Sequence, residues 1–299
     1  MSGTGVVVLG DVMLDIVTML SDEPAHGSDT ASRISLRPGG SAANVAAWLA
    51  AGGTPATFVG RVGSDETGRQ AVAALRNVGV DTRITVDAVR PTGTCVVLVH
   101  PDGERTMFPE VGANATLSVR DVEAALAGAP DSWHLHVSGY ALLSGAREAA
   151  LRAVGVARSS GASTSVTCAS AAPLRRIGPA TFLELAADVE MIFANSEEAE
   201  LLTGLHHPSD AAAELTHSYR HAVVTCGAAG AEYATPGSPH VHSPALRVDV
   251  VDSTGAGDAF AAGFLAAWLR GATPAAALSA GHERAAQAVS EPGGRPFLG

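Results

Sequence analysis

VVDSTGAGDAFAAGFLAAWL, residues 250–269, is the most informative segment of this 299-residue chain. It begins as an apolar run, passes through a Gly-rich turn and continues as an uninterrupted pattern of Ala, Phe and Leu. This order predicts strand, turn and helix. A helix that begins near Ala256 leaves its first backbone N–H groups unpaired and directs the positive end of its dipole at the turn. The turn is therefore a candidate anion site.

Asp258 lies at the mouth of this candidate anion site, after glycines that let the backbone approach a ligand closely. A carboxylate in that position is suited to removing a proton next to a phosphoryl group. The alternative is structural, because Asp is a common stabilising residue in the first turn of a helix. The turn is not a dinucleotide fingerprint, since the glycine after Gly257 is Gly263, which gives the wrong spacing.

Residues 252–258, DSTGAGD, resemble the C-terminal signature D-T-x-G-A-G-D of the ribokinase-like (PfkB) carbohydrate kinases. The resemblance implies that Asp258 is the general base of an ATP-dependent kinase. It also implies that the backbone N–H groups of Gly255, Ala256 and Gly257 hold the charge that develops on the transferred phosphoryl group.

Many members of this family also bind a monovalent cation beside the anion site. The matching positions are Asp252 and the backbone near Thr254, and the resemblance therefore assigns Thr254 to the cofactor-binding residues and Asp252 to a K⁺ site. The alternative for Asp252 is that it only tethers the loop.

Composition restricts the class of protein. Hydrophobic residues make up 46% of the chain and charged residues 16%, which is typical of a globular protein long enough for one large α/β domain. The formal net charge of −11 argues against nucleic-acid binding. All 19 basic residues are Arg, and the lack of Lys excludes a P-loop. Because no signal pattern or membrane-spanning apolar run is found, we expect a cytoplasmic protein that does not bind membranes.

The N-terminal part of the chain predicts an acceptor site. Asp15 follows a buried strand, at the end where ligands bind in open α/β sheets. The segment RPGGSAANVAAWLAAGG, residues 37–53, predicts a Gly-Gly turn and a helix, and it resembles the family's N-terminal signature. The resemblance assigns sugar binding to Asp15, Gly39, Gly40 and Asn44.

Two segments, about 12–36 and 91–110, interrupt the alternation of strands and helices and predict a small β-sheet outside the main one. The second contains a hairpin with its turn at residues 101–103. The family has a β-sheet lid over the sugar, built from matching insertions. Arg105 in the second segment is a candidate substrate-binding residue, and the alternative is a solvated Arg on a strand face.

The rest of the chain alternates regularly between strands and helices. This alternation predicts an α/β fold with a mostly parallel sheet. The resemblance covers nearly the whole chain and implies the three-layer ribokinase-like fold, with residues 1–299 forming one catalytic domain that carries the lid.

The nucleotide site is assigned by three further segments. Asn195 and Glu198 match the family's N-x-x-E segment, which organises Mg²⁺ around the phosphates, although acidic residues in a first helical turn also complement the dipole. Thr225 and Gly227 match its T-x-G step at the nucleotide. His282 lies in the last predicted helix, at a position for stacking on adenine.

The residues and the resemblance together predict a kinase that uses ATP and Mg²⁺ to phosphorylate a hydroxyl of a small sugar. Residues Met13, Ser41 and Val45 differ from those of ribokinase and argue against ribose itself. Two alternatives stay open, a nucleoside kinase of the same family and a non-catalytic sugar- or nucleotide-sensing protein. Exposed lid edges would favour a homodimer.

Overall fold

The computed structural model of the protein describes residues 4–101, 105–291 and 293–296. Within these ranges the strands, in chain order, are β1 (Gly5–Leu9), β2 (Met13–Leu20), β3 (Ser32–Gly39), β4 (Ala56–Gly63), β5 (Asp81–Asp87), β6 (Gly93–Val99), β7 (Arg105–Glu110), β8 (Trp133–Ser138), β9 (Ser163–Thr167), β10 (Met191–Asn195), β11 (His221–Thr225), β12 (Ala231–Ala234) and β13 (Val241–Ser243).

The α-helices in the same ranges surround these strands. They are α1 (Ser41–Ala51), α2 (Glu66–Asn77), α3 (Val119–Leu126), α4 (Gly139–Leu142), α5 (Arg147–Ser159), α6 (Ala171–Ile177), α7 (Pro179–Leu185), α8 (Ser196–Thr203), α9 (Pro208–Leu215), α10 (Ala256–Trp268) and α11 (Pro274–Val289).

The larger sheet has the strand order β13-β12-β11-β10-β9-β8-β1-β4-β5. Strands β5 to β11 in this order pair in parallel, and β12 and β13 continue the sheet in antiparallel fashion. Parallel strands need crossover connections, and helices supply them here. The carboxyl ends of the parallel strands therefore lie along one edge, where the loops that lead into the helices meet.

Both faces of the larger sheet are covered, which explains why β1 is a continuous apolar run. Val6 and Val8 pack with α1, α2, α10 and α11 on one face, whereas Val7 and Leu9 pack with helices α3 to α9 on the other. Successive side chains of a strand point to opposite faces, so an apolar residue is needed at every position. The three-layer architecture is as expected.

The smaller sheet has the order β3-β2-β6-β7, with β2 and β6 parallel and the outer pairs antiparallel. Its strands come from both segments in which a small sheet is expected. β3 ends at Gly39, directly before α1, so this sheet is joined to the part of the chain that contains the candidate acceptor residues.

One predicted element is wrong. The apolar run that begins at Val250 predicts a strand before the Gly-rich turn, but β13 ends at Ser243 and no strand follows it before α10. Val250 and Val251 are 66% and 56% exposed, and the Val251 N–H donates to the Val289 carbonyl of α11 instead of to a neighbouring strand. The predicted hairpin turn at 101–103 lies largely outside the described residues.

Candidate functional site

The predicted nucleotide-site residues lie at the carboxyl edge of the larger sheet. β10 ends at Asn195 and β11 at Thr225, and the two residues are register partners. Asn195 also forms a capping box with Glu198 at the start of α8: the Asn195 Oδ1 accepts the Glu198 N–H at 2.9 Å, and the Glu198 Oε2 accepts the Asn195 N–H at 2.8 Å. Burial raises the pKa of Glu198 to about 7, and the hydrogen bond from Asn195 opposes that rise.

Gly227 lies beyond Thr225 in a 3-10 turn, Gly227–Ala229. Its φ of 55° is in the left-handed region, and a Cβ built on it would have nothing within 4 Å. The backbone here has room for a close ligand, and its assignment to the nucleotide site stays a prediction.

Asp11 fixes the start of α1 beside β1. Gly40 at the N-cap supplies no side chain, and its φ is 93°. The Asp11 carboxylate instead accepts the backbone N–H of Ser41 at 2.8 Å and the hydroxyl of Ser138 at 2.9 Å. A Cβ on Gly40 would lie 2.6 Å from the Asp11 carbonyl oxygen, so the predicted Gly-Gly turn requires glycine for close packing.

Asp258 is held by this same helix. Its Oδ1 accepts the hydroxyl of Ser41 at 2.7 Å, and its Oδ2 accepts the Asn44 amide at 2.9 Å. Burial raises the pKa of Asp258 to about 7, while the hydrogen bonds from Asn44 and Ser41 act to lower it. Such a carboxyl is poised to exchange a proton near neutral pH. The contact also joins a predicted substrate residue to the predicted base, 214 residues apart in the sequence.

The first turn of α10 contains the three residues assigned to the anion site. Gly255 is the N-cap with φ of 72°, and it makes no side-chain capping bond. A Cβ on Gly255 would lie 2.6 Å from the backbone of Gly294, whereas one on Gly257 would have nothing within 4 Å. The backbone near Ala256 and Gly257 therefore has room for a ligand, and the helix dipole favours a negative one.

Asp15 lies in β2, on the smaller sheet, and is 6% exposed. A Cβ on Gly39 would overlap the Asp15 carboxylate, so the two predicted acceptor residues are in direct contact. Burial raises the pKa of Asp15 to about 6, and the positive charge of Arg295 partly offsets this effect.

Arg105 contacts the loop before α10. Its Nη1 donates to the Thr254 hydroxyl at 2.7 Å and lies 3.8 Å from the Asp252 Oδ1. That Oδ1 also accepts the N–H and the hydroxyl of Thr254, and the Oδ2 accepts the Gly293 N–H. Burial acts to raise the pKa of Asp252, but these hydrogen bonds hold it below its usual range. Asp252 is thus bonded within this loop, and its assignment to a K⁺ site stays a prediction.

His282 contacts other residues than the site groups described above. Its Nε2 lies 3.0 Å from the Ser243 carbonyl oxygen, its ring meets the edge of Phe260, and the residue is 6% exposed. Little of the ring is open for stacking on adenine in this arrangement, and its assignment to the nucleotide site stays a prediction.

Sequence reasoning missed three features of this region: the role of Asp11, the role of Ser41 and the position of Arg295. Arg295 Nη2 donates to the Gly39 carbonyl at 2.6 Å, and its Nε donates to the Asn44 Oδ1 at 3.2 Å. These partners are more than 250 residues away in sequence. The position of Ser41 at the start of a predicted helix was a usable signal, whereas the Gly-Gly-Arg segment near the C-terminus offered no periodicity.

No group of three or more His, Cys, Asp or Glu residues with the geometry of a metal site occurs among residues 4–101, 105–291 and 293–296. In those same ranges, no helix has the length and apolarity needed to cross a membrane.

Comparison with known proteins gives consistent results over the whole chain. A family model described as pfkB family carbohydrate kinase matches residues 4–298. The chain is 31% identical over 304 residues to the ATP-dependent ribose-1-phosphate kinase of Halopiger xanaduensis, covering 98% of this chain and 97% of the relative. It is also 31% identical to the 2-dehydro-3-deoxygluconokinase of Thermoproteus tenax over 245 residues, covering 80% and 75% of the two chains.

Among solved structures, the crystal structure of adenosine kinase from Sinorhizobium meliloti matches with a TM-score of 0.89 and 27% identity, covering 99% of this chain and 97% of that one. The predicted α/β fold, with a large mostly parallel sheet and a second small sheet, is confirmed.

Proposed function

Since this chain belongs to the pfkB family of carbohydrate kinases, and is thus a phosphotransferase with an alcohol group as acceptor, we propose that it transfers the γ-phosphoryl group of ATP to a hydroxyl of a small sugar. The observation that carries the proposal is the Asp258 carboxylate, fixed by Ser41 and Asn44 at the uncapped N-terminus of α10. Because the chain belongs to a family of kinases, the alternative of a non-catalytic sensing protein is set aside.

Asp258 takes the proton of the acceptor hydroxyl as its oxygen attacks the γ-phosphorus. The raised pKa of Asp258 suits this step, because a base works best when its pKa lies near the working pH. The backbone N–H groups of Gly255, Ala256 and Gly257 stabilise the negative charge on the transferred group. Most of the rate then comes from positioning and electrostatics, as phosphoryl transfer requires.

The acceptor is oriented by residues of the smaller sheet and of the start of α1. Asp15 accepts hydrogen bonds from its hydroxyl groups, Gly39 and Gly40 let the backbone approach the ring, and Asn44 holds both the sugar and the base. Arg105 reaches the loop before α10 from the smaller sheet and thereby links that sheet to the anion site.

Mg²⁺ and the nucleotide are assigned to the edge formed by Asn195, Glu198, Thr225 and Gly227. The chemistry of the donors fits, since Mg²⁺ prefers oxygen ligands and commonly keeps its waters, and Glu198 can act through them. When bound, Mg²⁺ neutralises charge on the ATP phosphates. Thr254 and His282 complete the proposed nucleotide contacts.

The test is ADP release with Mg-ATP across a panel of acceptors. The panel contains ribose, fructose, ribose-1-phosphate, 2-dehydro-3-deoxygluconate and adenosine. We expect turnover on at least one sugar. Failure of every acceptor, with ATP binding intact in a calorimetric titration, would contradict the proposed reaction.

A nucleoside acceptor is the second candidate, favoured by the similarity to adenosine kinase. A nucleoside base needs an apolar or aromatic surface, and Phe108 in β7 is the aromatic residue that the described lid strands offer, 55% exposed. Turnover of adenosine above that of every sugar would replace the first candidate with this one.

A further inference from the structure

Arg295 places a positive charge inside the proposed acceptor site. Residues 293–296 lie between the two signature segments: the Trp48 Nε1 donates to the Gly294 carbonyl at 3.0 Å, and Gly255 packs against the Gly294 backbone. Arg295 then contacts Gly39 and Asn44, both assigned to the acceptor. An acceptor bound there lies beside its guanidinium group.

Arg295 has no direct counter-ion within the described residues. Its two hydrogen bonds go to a carbonyl and an amide oxygen, and no carboxylate of residues 4–101, 105–291 or 293–296 lies within 4.0 Å of it. Its Nη1 is buried and has no hydrogen-bond partner among them. Buried cations are ordinarily paired, because desolvation of an unpaired charge costs free energy.

Arg37 adds a second cation beside the first. It lies in β3, directly opposite Asp15 of β2, so the two side chains share a face of the smaller sheet. A Cβ on Gly293 would lie 3.7 Å from the Arg37 Cδ, so the Arg37 stem runs beside residues 293–295. Its Nε is also buried without a partner in the described chain. Two guanidinium groups with unused donors therefore border the acceptor site.

We propose that the acceptor is a sugar that already carries a negatively charged group, a phosphate ester or a carboxylate, and that Arg295 and Arg37 bind that group. The inference rests on the proposed kinase function and deepens it. Guanidinium groups match phosphate and carboxylate in geometry, and the unused N–H donors would be satisfied by the anion's oxygens. A neutral sugar would leave the positive charge without an anion in direct contact and offer these donors only uncharged acceptors.

The carboxylates of the site do not prevent anion binding. Burial lowers the pKa of Arg295, whereas Asp15, Asp11 and Asp258 all lie close enough to raise it. Burial also raises the pKa of Asp15 to about 6 and that of Asp258 to about 7. Burial thus disfavours the charged forms of these two carboxyls, which reduces their repulsion of an anionic acceptor.

The experiment compares charged and neutral acceptors on wild type, Arg295→Gln and Arg37→Gln. We measure kcat and KM for ribose-1-phosphate, 2-dehydro-3-deoxygluconate, ribose and fructose, and the increase in Tm that each acceptor causes without ATP. Wild type should favour one charged acceptor over the neutral sugars. Each Gln variant should lower kcat/KM for that acceptor about 10- to 100-fold, mainly through KM, because a hydrogen bond to a charged group contributes on that scale.

The ratio of kcat/KM for the charged acceptor to kcat/KM for a neutral sugar distinguishes recognition of the anion from structural support. A structural role for Arg295 would lower kcat/KM for all acceptors alike and leave the ratio unchanged, which would overturn the inference. Arg295→Lys, which keeps the charge, should retain part of the preference and serves if the Gln variant does not fold. Arg69→Gln is the matched control, because the Arg69 side chain is 67% exposed on α2 and pairs only with Glu66 among the described residues.

The Tm measurement distinguishes failure of this inference from failure of the proposed reaction. If no acceptor is phosphorylated but a charged sugar alone raises the Tm in wild type and not in Arg295→Gln, the anion site is supported and the reaction is not. If a neutral sugar is preferred in turnover and in Tm, the reaction stands and the anion site is wrong. The phosphate and carboxylate acceptors identify which anion the site takes.

Discussion

At the scale of the residue, the site depends on Asp258 and on the two side chains that hold it. A carboxylate in the first turn of a helix is unremarkable by itself, and its sequence position leaves a purely structural role open. The structure adds direct bonds from Ser41 and Asn44, and neither partner could be paired with Asp258 by local sequence patterns. The identity of the candidate base was therefore predictable, whereas its immediate surroundings were not.

We predict that kcat/KM rises with pH to a plateau, with a midpoint near the pKa of about 7 of Asp258 in the free enzyme. A general base must be ionised, so activity should fall about tenfold per pH unit below the midpoint. Ser41→Ala removes a hydrogen bond that favours the ionised form, and it should move the midpoint to higher pH. An activity independent of pH between 5.5 and 8 would argue against a base with this pKa.

At the scale of the element, the uncapped start of α10 distinguishes the anion site from an ordinary helix terminus. Helix α8, by contrast, begins with a complete capping box. The Gly-rich turn and the first residue of α10 follow from the sequence, because glycine at a positive φ and a periodic apolar run are local signals. The missing strand before the turn depends on whether a neighbouring strand is available, which local patterns do not contain.

Gly255→Ala tests the close approach of this turn to the C-terminal segment. Alanine at φ of 72° costs about 1–3 kcal/mol, and its Cβ would meet the Gly294 backbone at 2.6 Å. We expect lower Tm and at least tenfold lower kcat/KM. Gly204→Ala is the matched control, because Gly204 has φ of 75° with open space around it. Equal activity losses in the two variants would contradict the role of the close approach.

The loop at residues 252–254 allows a test of the K⁺ prediction. Asp252 already accepts hydrogen bonds from Thr254 and Gly293, which supports a tether, while the family resemblance supports a cation beside it. If K⁺ binds, kcat should be higher in potassium chloride than in tetramethylammonium chloride at equal ionic strength. Equal rates would reject the cation site and leave Asp252 as a tether alone.

At the scale of the whole molecule, burial lowers the pKa of histidines in the core and raises the pKa of carboxyls in the site, because it disfavours the charged form of both groups. In the core, the His134 Nε2 and the His136 Nδ1 of β8 each lie 2.7 Å from the Ser165 hydroxyl oxygen of β9. Burial lowers the pKa of each histidine to about 3. In the site, burial raises the pKa of Asp258 to about 7. As pH falls below 6.5, these histidines bind protons in the unfolded state but not in the folded one, which lowers the free energy of unfolding. Carboxyls whose pKa is raised in the folded state bind protons there first, which increases the free energy of unfolding.

Because these effects overlap, the histidine contribution is measured as a difference between wild type and His136→Asn. One histidine with a lowered pKa loses about 1.4 kcal/mol per pH unit once the pH is below its unfolded value. Relative to the variant, the free energy of unfolding of wild type should therefore fall by about 2 kcal/mol between pH 7.5 and 5, in urea titrations. A difference that stays constant over this interval would contradict the buried, neutral state of His136.

Sequence patterns gave the layered architecture and the carboxyl edge of the sheet, because alternation of strands and helices restricts the topology strongly. They did not place residues 293–296. Arg295 reaches Gly39 across 256 positions of sequence, and such a contact depends on the complete fold. The positive charge that Arg295 adds beside Gly39 and Asn44, on which the proposed anion site rests, was therefore not predictable from sequence patterns.

The most direct test of the central claim is the turnover of Asp258→Asn with Mg-ATP and the best acceptor, alongside ATP binding by calorimetry. Asp210→Asn, in the first turn of α9, is the control for a change in helix-terminal charge. Loss of a general base should lower kcat by about 10² to 10⁴ while ATP affinity and the control stay near wild type. Turnover of Asp258→Asn within a few-fold of wild type would contradict the assignment of Asp258 as the base.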